Sequence, residues 1–311
     1  MGSKIKVAII GLGHIGQIHI KALSLNPELE LVAVCDKDSK FRNNIKNLEF
    51  YESHIEMLGK GGFEVVLVAT PNSTHSAIAK DVLLYGYNLM LEKPAANDVK
   101  ELEQINSLKK LYHKNIYFLF HASFASEVLY FKEFYDQNRS LIGDLISFNC
   151  QFYDPYLINN NIKKYAIGLE NPWKDSGVNA LSVIARFIDL NEISTNDIRY
   201  SKFFSQEISH TRYFEIMNGF IGTIDTAWDQ NKNFKSTELY FQNGFRVKLN
   251  HSKQSLEIFD LNKKSKMIFK NFKGERLLNH YVNHLKDYNL NRNESNFDFS
   301  KKIHNKLFEG I

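Results

Sequence analysis

Cysteine is nearly absent: Cys35 and Cys150 are the only two in 311 residues. That excludes a disulfide framework and any CxxC metal motif. Cys35 closes an apolar run and reads as a plain buried thiol. No apolar run reaches the length of a membrane span, and the first strand-like run starts at Ile5, which leaves no room for a leader peptide. A cytoplasmic location and no membrane partner are therefore expected. Charge of one sign is lacking as well. Lys+Arg 39 against Asp+Glu 35 leave +4 with no dense basic stripe, so nucleic acid is not an expected partner. What remains is an ordinary globular composition, 43% hydrophobic and 24% charged, in a chain long enough for two domains with proper cores.

The richest stretch is Val7-Ala8-Ile9-Ile10-Gly11-Leu12-Gly13-His14-Ile15-Gly16. A GxGxxG alone is weak. Here it follows an apolar β-type run and opens a helical pattern (Ile15–Leu25). Twenty residues past Gly16, a second apolar run ends on Asp36. Together these form a dinucleotide-binding fingerprint. Gly11 permits the tight turn, Gly13 lets the backbone approach a pyrophosphate, and Gly16 lets helix and strand pack closely. The helix N-terminus then offers N–H groups and a positive dipole end to phosphate. The expected cofactor-holding residues are Gly11, Leu12, Gly13, His14, Ile15 and Gly16, with Asp36 and Lys37 at the ribose. His14 has no individual role. Asp36 favours the free ribose diol of NAD and repels a 2′-phosphate. Lys37, Lys40 and Arg42 soften that repulsion, so NADP stays possible.

Apolar runs and helical periodicity alternate through the first part of the chain. Strands read at Ile5–Ile10, Leu29–Asp36, Val65–Thr70, Tyr87–Glu92 and Ile116–His121. Helices read at Ile15–Leu25, His75–Tyr85 and Val99–Tyr112. This grammar predicts an α/β, doubly wound parallel sheet, a Rossmann domain over residues 1–123. Beyond it the pattern changes. A helix (Ser126–Asn138), a strand (Asp144–Phe152), an irregular Asn-rich stretch to Trp173 and a helix (Ser176–Leu190) come first. Closely spaced strand-like runs follow: Phe203–Glu207, Thr211–Met217, Ile221–Trp228, Ser236–Phe241, Phe245–Leu249, Leu256–Phe259 and Lys266–Phe269. Asn218-Gly219 and Asn243-Gly244 punctuate them as hairpin turns. Helices at Gly274–Asn291 and Phe299–Phe308 close the chain. Residues 124–311 are thus expected to form an α+β domain with a large, mostly antiparallel open sheet. The uncovered face of such a sheet favours a homodimer or homotetramer.

Glu92-Lys93-Pro94 ends the fourth apolar run. Pro94 marks a strand end and pushes Lys93 into an extended conformation. A partly desolvated lysine there has its pKa lowered from ~10.4 toward the working range, which suits proton transfer or alkoxide stabilisation. A surface lysine after a strand has the same local sequence. Thr70-Pro71-Asn72-Ser73-Thr74-His75 follows another strand, and its polar groups suit a ribose and nicotinamide. Ser73 or Thr74 also suits a helix N-cap. His280 and His284 lie four apart with no third ligand nearby, so they read as solvated helix residues and no metal is expected.

These pieces resemble the glucose–fructose oxidoreductase / inositol dehydrogenase / MocA family. The resemblance is carried by the glycine fingerprint with His19 beyond it, by Thr-Pro-Asn-x-x-His (Thr70–His75) and by Glu-Lys-Pro (Glu92–Pro94). It implies an NAD(P)-dependent dehydrogenase acting at a carbinol carbon of a sugar or cyclitol, with Lys93 catalytic and Thr70, Pro71, Asn72, His75 and Glu92 around the cofactor. In the second domain, Asp175-Ser176-Gly177-Val178-Asn179-Ala180-Leu181-Ser182 resembles the aldose 1-dehydrogenase branch, with Asn179 where much of the family has His. That branch implies oxidation of a D-galactose or L-arabinose pyranose at C1 to the lactone. Lys93 and Asp175 would handle the hydroxyl proton, Asn179 would orient the hydroxyl, and His121 and Trp228 would touch the sugar. Trp173 suits stacking or core equally. The family's Arg two residues past His121 is Ser123 here. Which of Lys93 and Asp175 is the formal base stays open, since a close pair titrates jointly. Two other readings remain: a dehydrogenase of a cyclitol or modified sugar at another carbon, and a non-catalytic dinucleotide sensor on the same fold.

Overall fold

The computed structural model describes residues 3–44, 48–216, 219–288 and 293–310. Met217, Asn218 and the end of the expected helix at Asn291 lie outside the described residues. The chain divides into two compact units, Met1–Phe120 with Leu277–Lys301, and His121–Arg276 with Lys302–Ile311. The expected second domain, 124–311, therefore gives residues 277–301 to the first unit, and the cut falls three residues earlier than expected.

The first unit is a six-stranded parallel sheet of order β3-β2-β1-β4-β5-β6. Its strands are β1 (Ile5–Ile10), β2 (Leu29–Cys35), β3 (Glu49–Tyr51), β4 (Val65–Val68), β5 (Asn88–Glu92) and β6 (Ile116–Leu119). Every residue of β4 and β6 is buried, as a parallel strand covered on both faces requires. Helices α1 (His14–Ser24), α2 (His54–Lys60), α3 (Asn72–Leu84) and α4 (Val99–Leu111) connect them. The strand order reverses between β1 and β4, the point where such sheets hold a dinucleotide. The sequence pattern missed β3 and α2: β3 has only three residues, none of them buried, so it shows no apolar run.

The second unit is built on an eight-stranded sheet of order β10-β11-β12-β7-β13-β14-β15-β16. It comprises β7 (Leu145–Tyr153), β10 (Ser194–Phe203), β11 (Gln206–Ile216), β12 (Phe220–Ala227), β13 (Phe234–Phe241), β14 (Phe245–Asn250), β15 (Ser255–Asp260) and β16 (Ser265–Asn271). All neighbours run antiparallel except β12 and β7. Helix α5 (Ser126–Gln137) packs against β14 and β15, the one-turn helices α6 (Arg139–Ile142) and α7 (Lys164–Ile167) follow in the chain, and α8 (Val178–Ile184) packs against β7. The Asn-rich stretch contains a small hairpin, β8 (Leu157–Ile158) with β9 (Asn161–Ile162). Two expectations are corrected. The run Phe203–Glu207 is not one strand but the end of β10, a turn at Phe204-Ser205 and the start of β11, because Phe204 adopts φ 53° and is 88% exposed. Strand β10 was missed since it is an edge strand whose residues are mostly exposed and polar. The helix expected at Ser176–Leu190 instead begins as a π-helical turn, Trp173–Gly177, and continues as α8 to Ile184.

Candidate active site

The glycine loop of the first unit has the geometry its sequence requires. Gly11 sits at φ 96°, and a Cβ on it would lie 2.6 Å from Ala69 O. A Cβ on Gly16 would lie 2.1 Å from Gly11 O, so helix α1 can approach β1 only with glycine there. Gly13 differs. Its φ is −61°, and a Cβ on it would meet nothing within 4 Å. That open space stands over the N-terminus of α1, which has no side-chain cap and no acidic residue in its first turn. A pyrophosphate fits this cradle on both steric and electrostatic grounds.

Asp36, just past β2, closes the loop from the other side. Its Oδ2 accepts from Leu12 N at 2.7 Å and its Oδ1 from Asp38 N at 2.9 Å. Each carboxylate oxygen keeps a lone-pair site for a ribose hydroxyl. Lys40 is paired with Asp38 and Arg42 with Glu52, so two of the three nearby cations already have carboxylates of their own. Lys37 is exposed. Burial, with Asp36 and Glu56 nearby, pushes the Cys35 thiol up to about 12, which leaves it chemically inert at neutral pH.

Lys93 follows the C-terminal end of β5, half-buried, with a cis peptide bond to Pro94. Its neighbour Glu92 is buried. Glu92 Oε1 is 2.8 Å from His19 Nε2 of α1, and Oε2 accepts from Lys93 N at 3.2 Å. Burial alone would raise the Glu92 carboxyl, but His19, Tyr281 and Lys93 together hold it below the usual carboxylate range. His75 is likewise occupied: Nδ1 is 2.8 Å from Pro94 O and Nε2 is 2.8 Å from Thr70 O. Glu92 and His75 thus brace the loops that carry Lys93 and Thr70. Helix α3 starts at Asn72 with Pro71 at its N-cap and no side-chain cap, so neither Ser73 nor Thr74 caps it. Thr74 Oγ1 donates instead to Pro71 O at 2.7 Å and stands 2.8 Å from Thr70 Oγ1.

In the second unit the register brings the ends of β7 and β12 and the start of β13 side by side: Tyr153 pairs with Ala227 and with Phe234. The π turn carrying Asp175 packs against β7 and β12. Asp175 and Asn179 are 8% and 5% exposed. Asn179 Nδ2 donates to Asp175 O at 3.3 Å, and Asn179 Oδ1 is a buried acceptor without a partner among the described residues. Trp228 is fully buried beside Tyr156, ring centroids 5.7 Å apart, and its Nε1 likewise has no partner among the described residues. A buried donor and a buried acceptor left unsatisfied carry a desolvation cost, and a ligand hydroxyl relieves it. His121 opens a 3-10 turn, His121–Phe124, that packs against α8.

Several residues took shape only in three dimensions. Trp173 is core: its Nε1 donates to Leu307 O at 2.8 Å, and the Arg212 guanidinium lies 4.1 Å from its ring centroid. His280 and His284, expected to be solvated, are 1% and 0% exposed, because α9 (Arg276–Asp287) turns them inward; the His284 ring lies 5.0 Å from that of Tyr117. The guanidinium of Arg186 reaches Ser123 Oγ at 3.5 Å, from a position 63 residues away in sequence. Asp154, Ser176 and Lys235 form a buried polar cluster beside Asp175 that no sequence motif signalled.

Comparison with known proteins agrees with this geometry. Residues 5–120 match the model of the GFO_IDH_MocA family, described as an oxidoreductase family with NAD-binding Rossmann fold. The rhizopine catabolism protein MocA of Rhizobium meliloti is 25% identical over 154 residues, 49% of this chain and 48% of that one. Inositol 2-dehydrogenase 1 of Paenarthrobacter aurescens is 27% identical over 208 residues, 65% of this chain and 59% of that one. The chain thus spans about half to three-fifths of the length of these relatives. Among solved structures, an NAD binding oxidoreductase from Klebsiella pneumoniae superimposes with a TM-score of 0.82 at 16% identity, covering 98% of this chain and 95% of that one. An oxidoreductase from Agrobacterium radiobacter, solved with NAD+, L-tartaric acid and magnesium, gives 0.79 at 16% identity, covering 98% and 94%. These two likenesses establish the fold, and residues 5–120 carry the sequence match to the NAD-binding Rossmann fold of the GFO_IDH_MocA oxidoreductase family.

Proposed function

We propose that the protein is an NAD-dependent dehydrogenase that oxidises an aldose pyranose of the D-galactose or L-arabinose type at C1 to the aldonolactone. The observation that carries the reading is the orphaned Oδ1 of Asn179, a buried acceptor fixed next to Asp175 and suited to a single substrate hydroxyl. NAD, when bound, supplies the hydride acceptor. The chain's own residues do the rest. Gly11, Leu12, Gly13, His14, Ile15 and Gly16 would cradle the phosphates, Asp36 and Lys37 the ribose, and Thr70, Pro71 and Asn72 the nicotinamide end. Lys93 would stabilise the alkoxide and Asp175 would take its proton, an assignment that rests on the sequence resemblance and is kinetic in content. His121 and Trp228 would complete the sugar contacts. The engagement of Lys40 and Arg42 by carboxylates favours NAD over NADP. The cyclitol reading is the alternative that the curated relatives favour, since one of them is an inositol 2-dehydrogenase.

The test is reduction of NAD and NADP against D-galactose, L-arabinose and myo-inositol, followed by nicotinamide absorbance. Turnover with the aldoses and appearance of a lactone is the expected result; activity on myo-inositol alone replaces the C1 reading with the cyclitol one. Lys93→Ala and Asp175→Asn each lower kcat by about 10²–10⁴-fold with NAD affinity near wild type. Loss of NAD binding with turnover intact would rule the assignment out. We further propose a homodimer or homotetramer formed through the uncovered face of the eight-stranded sheet, checked by light scattering of the eluted protein.

A further inference from the structure

Asp154 immediately follows β7 and is 5% exposed. Its carboxylate collects three side-chain donors from two segments. Lys235 Nζ at 2.6 Å and Asn233 Nδ2 at 2.7 Å meet Oδ1, and Ser176 Oγ at 2.8 Å meets Oδ2. Its backbone N–H donates to Ala227 O at 2.9 Å, so the residue is fixed to the end of β12 as well. Lys235 is 7% exposed, with Nζ also 3.4 Å from Tyr153 O. A buried ion pair of this kind adds little net stability, and hydrophobic residues of like volume often serve as well. Its value is therefore sought in what it fixes. One of its ligands, Ser176, is 2% exposed and is the residue directly after Asp175 in the π turn. Such turns are rare and concentrate at functional sites. Asp175 lies within electrostatic reach of Lys235, whose ammonium is pushed down by burial and raised by Asp154 and Asp175.

We propose that Asp154, charge-balanced by Lys235, is a positioning residue that sets the placement of Asp175 through Ser176. The proposal rests on the reading of Asp175 as the group that takes the substrate proton. Asp154 and Ser176 do not themselves touch the reacting atoms. The hydroxyl of Ser176 makes a direct hydrogen bond from the turn to the ion pair, and removing a single oxygen severs it.

The experiment uses the full chain with NAD and whichever of D-galactose, L-arabinose or myo-inositol it oxidises, comparing Ser176→Ala, Ser176→Thr and Asp175→Asn. Ser176→Ala is expected to lower kcat about tenfold, with KM for NAD and sugar within about twofold of wild type. Ser176→Thr, which keeps the hydroxyl, recovers most of that loss. Thermal melting is followed in parallel. If Ser176→Ala lowers Tm but keeps kcat while Asp175→Asn loses it, the serine link is structural: the positioning role falls and Asp175 keeps its role. If Asp175→Asn turns over like wild type, the reading of Asp175 is wrong and the positioning role falls with it.

Discussion

The two units hold their candidate functional groups by different means. In the Rossmann unit the cradle is made of backbone. Gly11 and Gly16 are fixed by carbonyl oxygens a Cβ could not tolerate, and Leu12 N is tied to Asp36 at 2.7 Å. In the second unit Asp175 sits on a π turn and Asn179 on α8, which continues it, and the turn is tied to side chains from elsewhere in the sequence, Asp154 and Lys235. A backbone solution demands particular residues at fixed spacing, so it leaves a motif. A side-chain solution can be met by many residue sets, and it leaves almost none.

The sharpest way to break this contrast is within the glycine loop itself. Gly16→Ala places a Cβ 2.1 Å from Gly11 O, a backbone atom that has no room to give. It should reduce NADH affinity by more than about a hundredfold and lower the melting temperature, because either the turn or the helix must shift. Gly13→Ala, at φ −61° with nothing within 4 Å, should melt like wild type yet bind NADH about tenfold more weakly, since its methyl enters only the space a pyrophosphate needs. Titration of NADH fluorescence together with thermal melts separates the two. Equal binding by Gly13→Ala and wild type would show that the cradle is not where the phosphates lie.

The same contrast explains what the sequence disclosed. Strands β1, β4, β5 and β6 were legible because parallel strands buried on both faces read as unbroken apolar runs, and the strand-turn-helix context made Gly11–Gly16 specific. The place of Lys93 at a strand end was legible from the proline behind it. Strand β10 was not, since an edge strand has no buried face to pattern it, and Phe204 misled because a turn can expose an aromatic ring. The Asp154 cluster was invisible for a different reason. Its members are 22 and 81 residues away from Asp154 in sequence; the register of β7 and β13 brings Lys235 to it, and the packing of the π turn on β7 brings Ser176.

Gly177→Ala tests the second unit at its own scale. The added Cβ would lie 2.3 Å from Trp173 Cε3, against a ring that is held by Leu307 O at one edge and by Arg212 over its face. The ring has little freedom to retreat, so overpacking should cost about 1–3 kcal/mol in a urea melt. Trp173→Phe in the same background removes part of the bulk and should recover some of that loss. If Gly177→Ala were as stable as wild type, the turn would be looser than its packing indicates.

The smallest effect belongs to the Glu92–His19 pair, where the first unit does rely on side chains. Glu92 is buried, and although burial favours its neutral form, His19, Tyr281 and Lys93 keep its folded pKa below the unfolded value. The unfolded chain therefore takes up a proton on this carboxyl before the folded one does as the pH falls. The stabilisation is complete above about pH 4.5, the ordinary carboxylate range, and is lost as pH drops through the folded value. Glu92→Gln should cost about 1–2 kcal/mol at pH 7, where a charged acceptor is replaced by a neutral one. Its melting temperature should then fall less steeply than that of wild type between pH 5 and about pH 3.5. Parallel acid limbs for the two proteins would mean that the pair is a spacer between α1 and the Lys93 loop rather than an electrostatic tie. Should the variant also keep wild-type turnover, the bracing of Lys93 would fall to the contact of His75 with Pro94 O, a backbone acceptor after all.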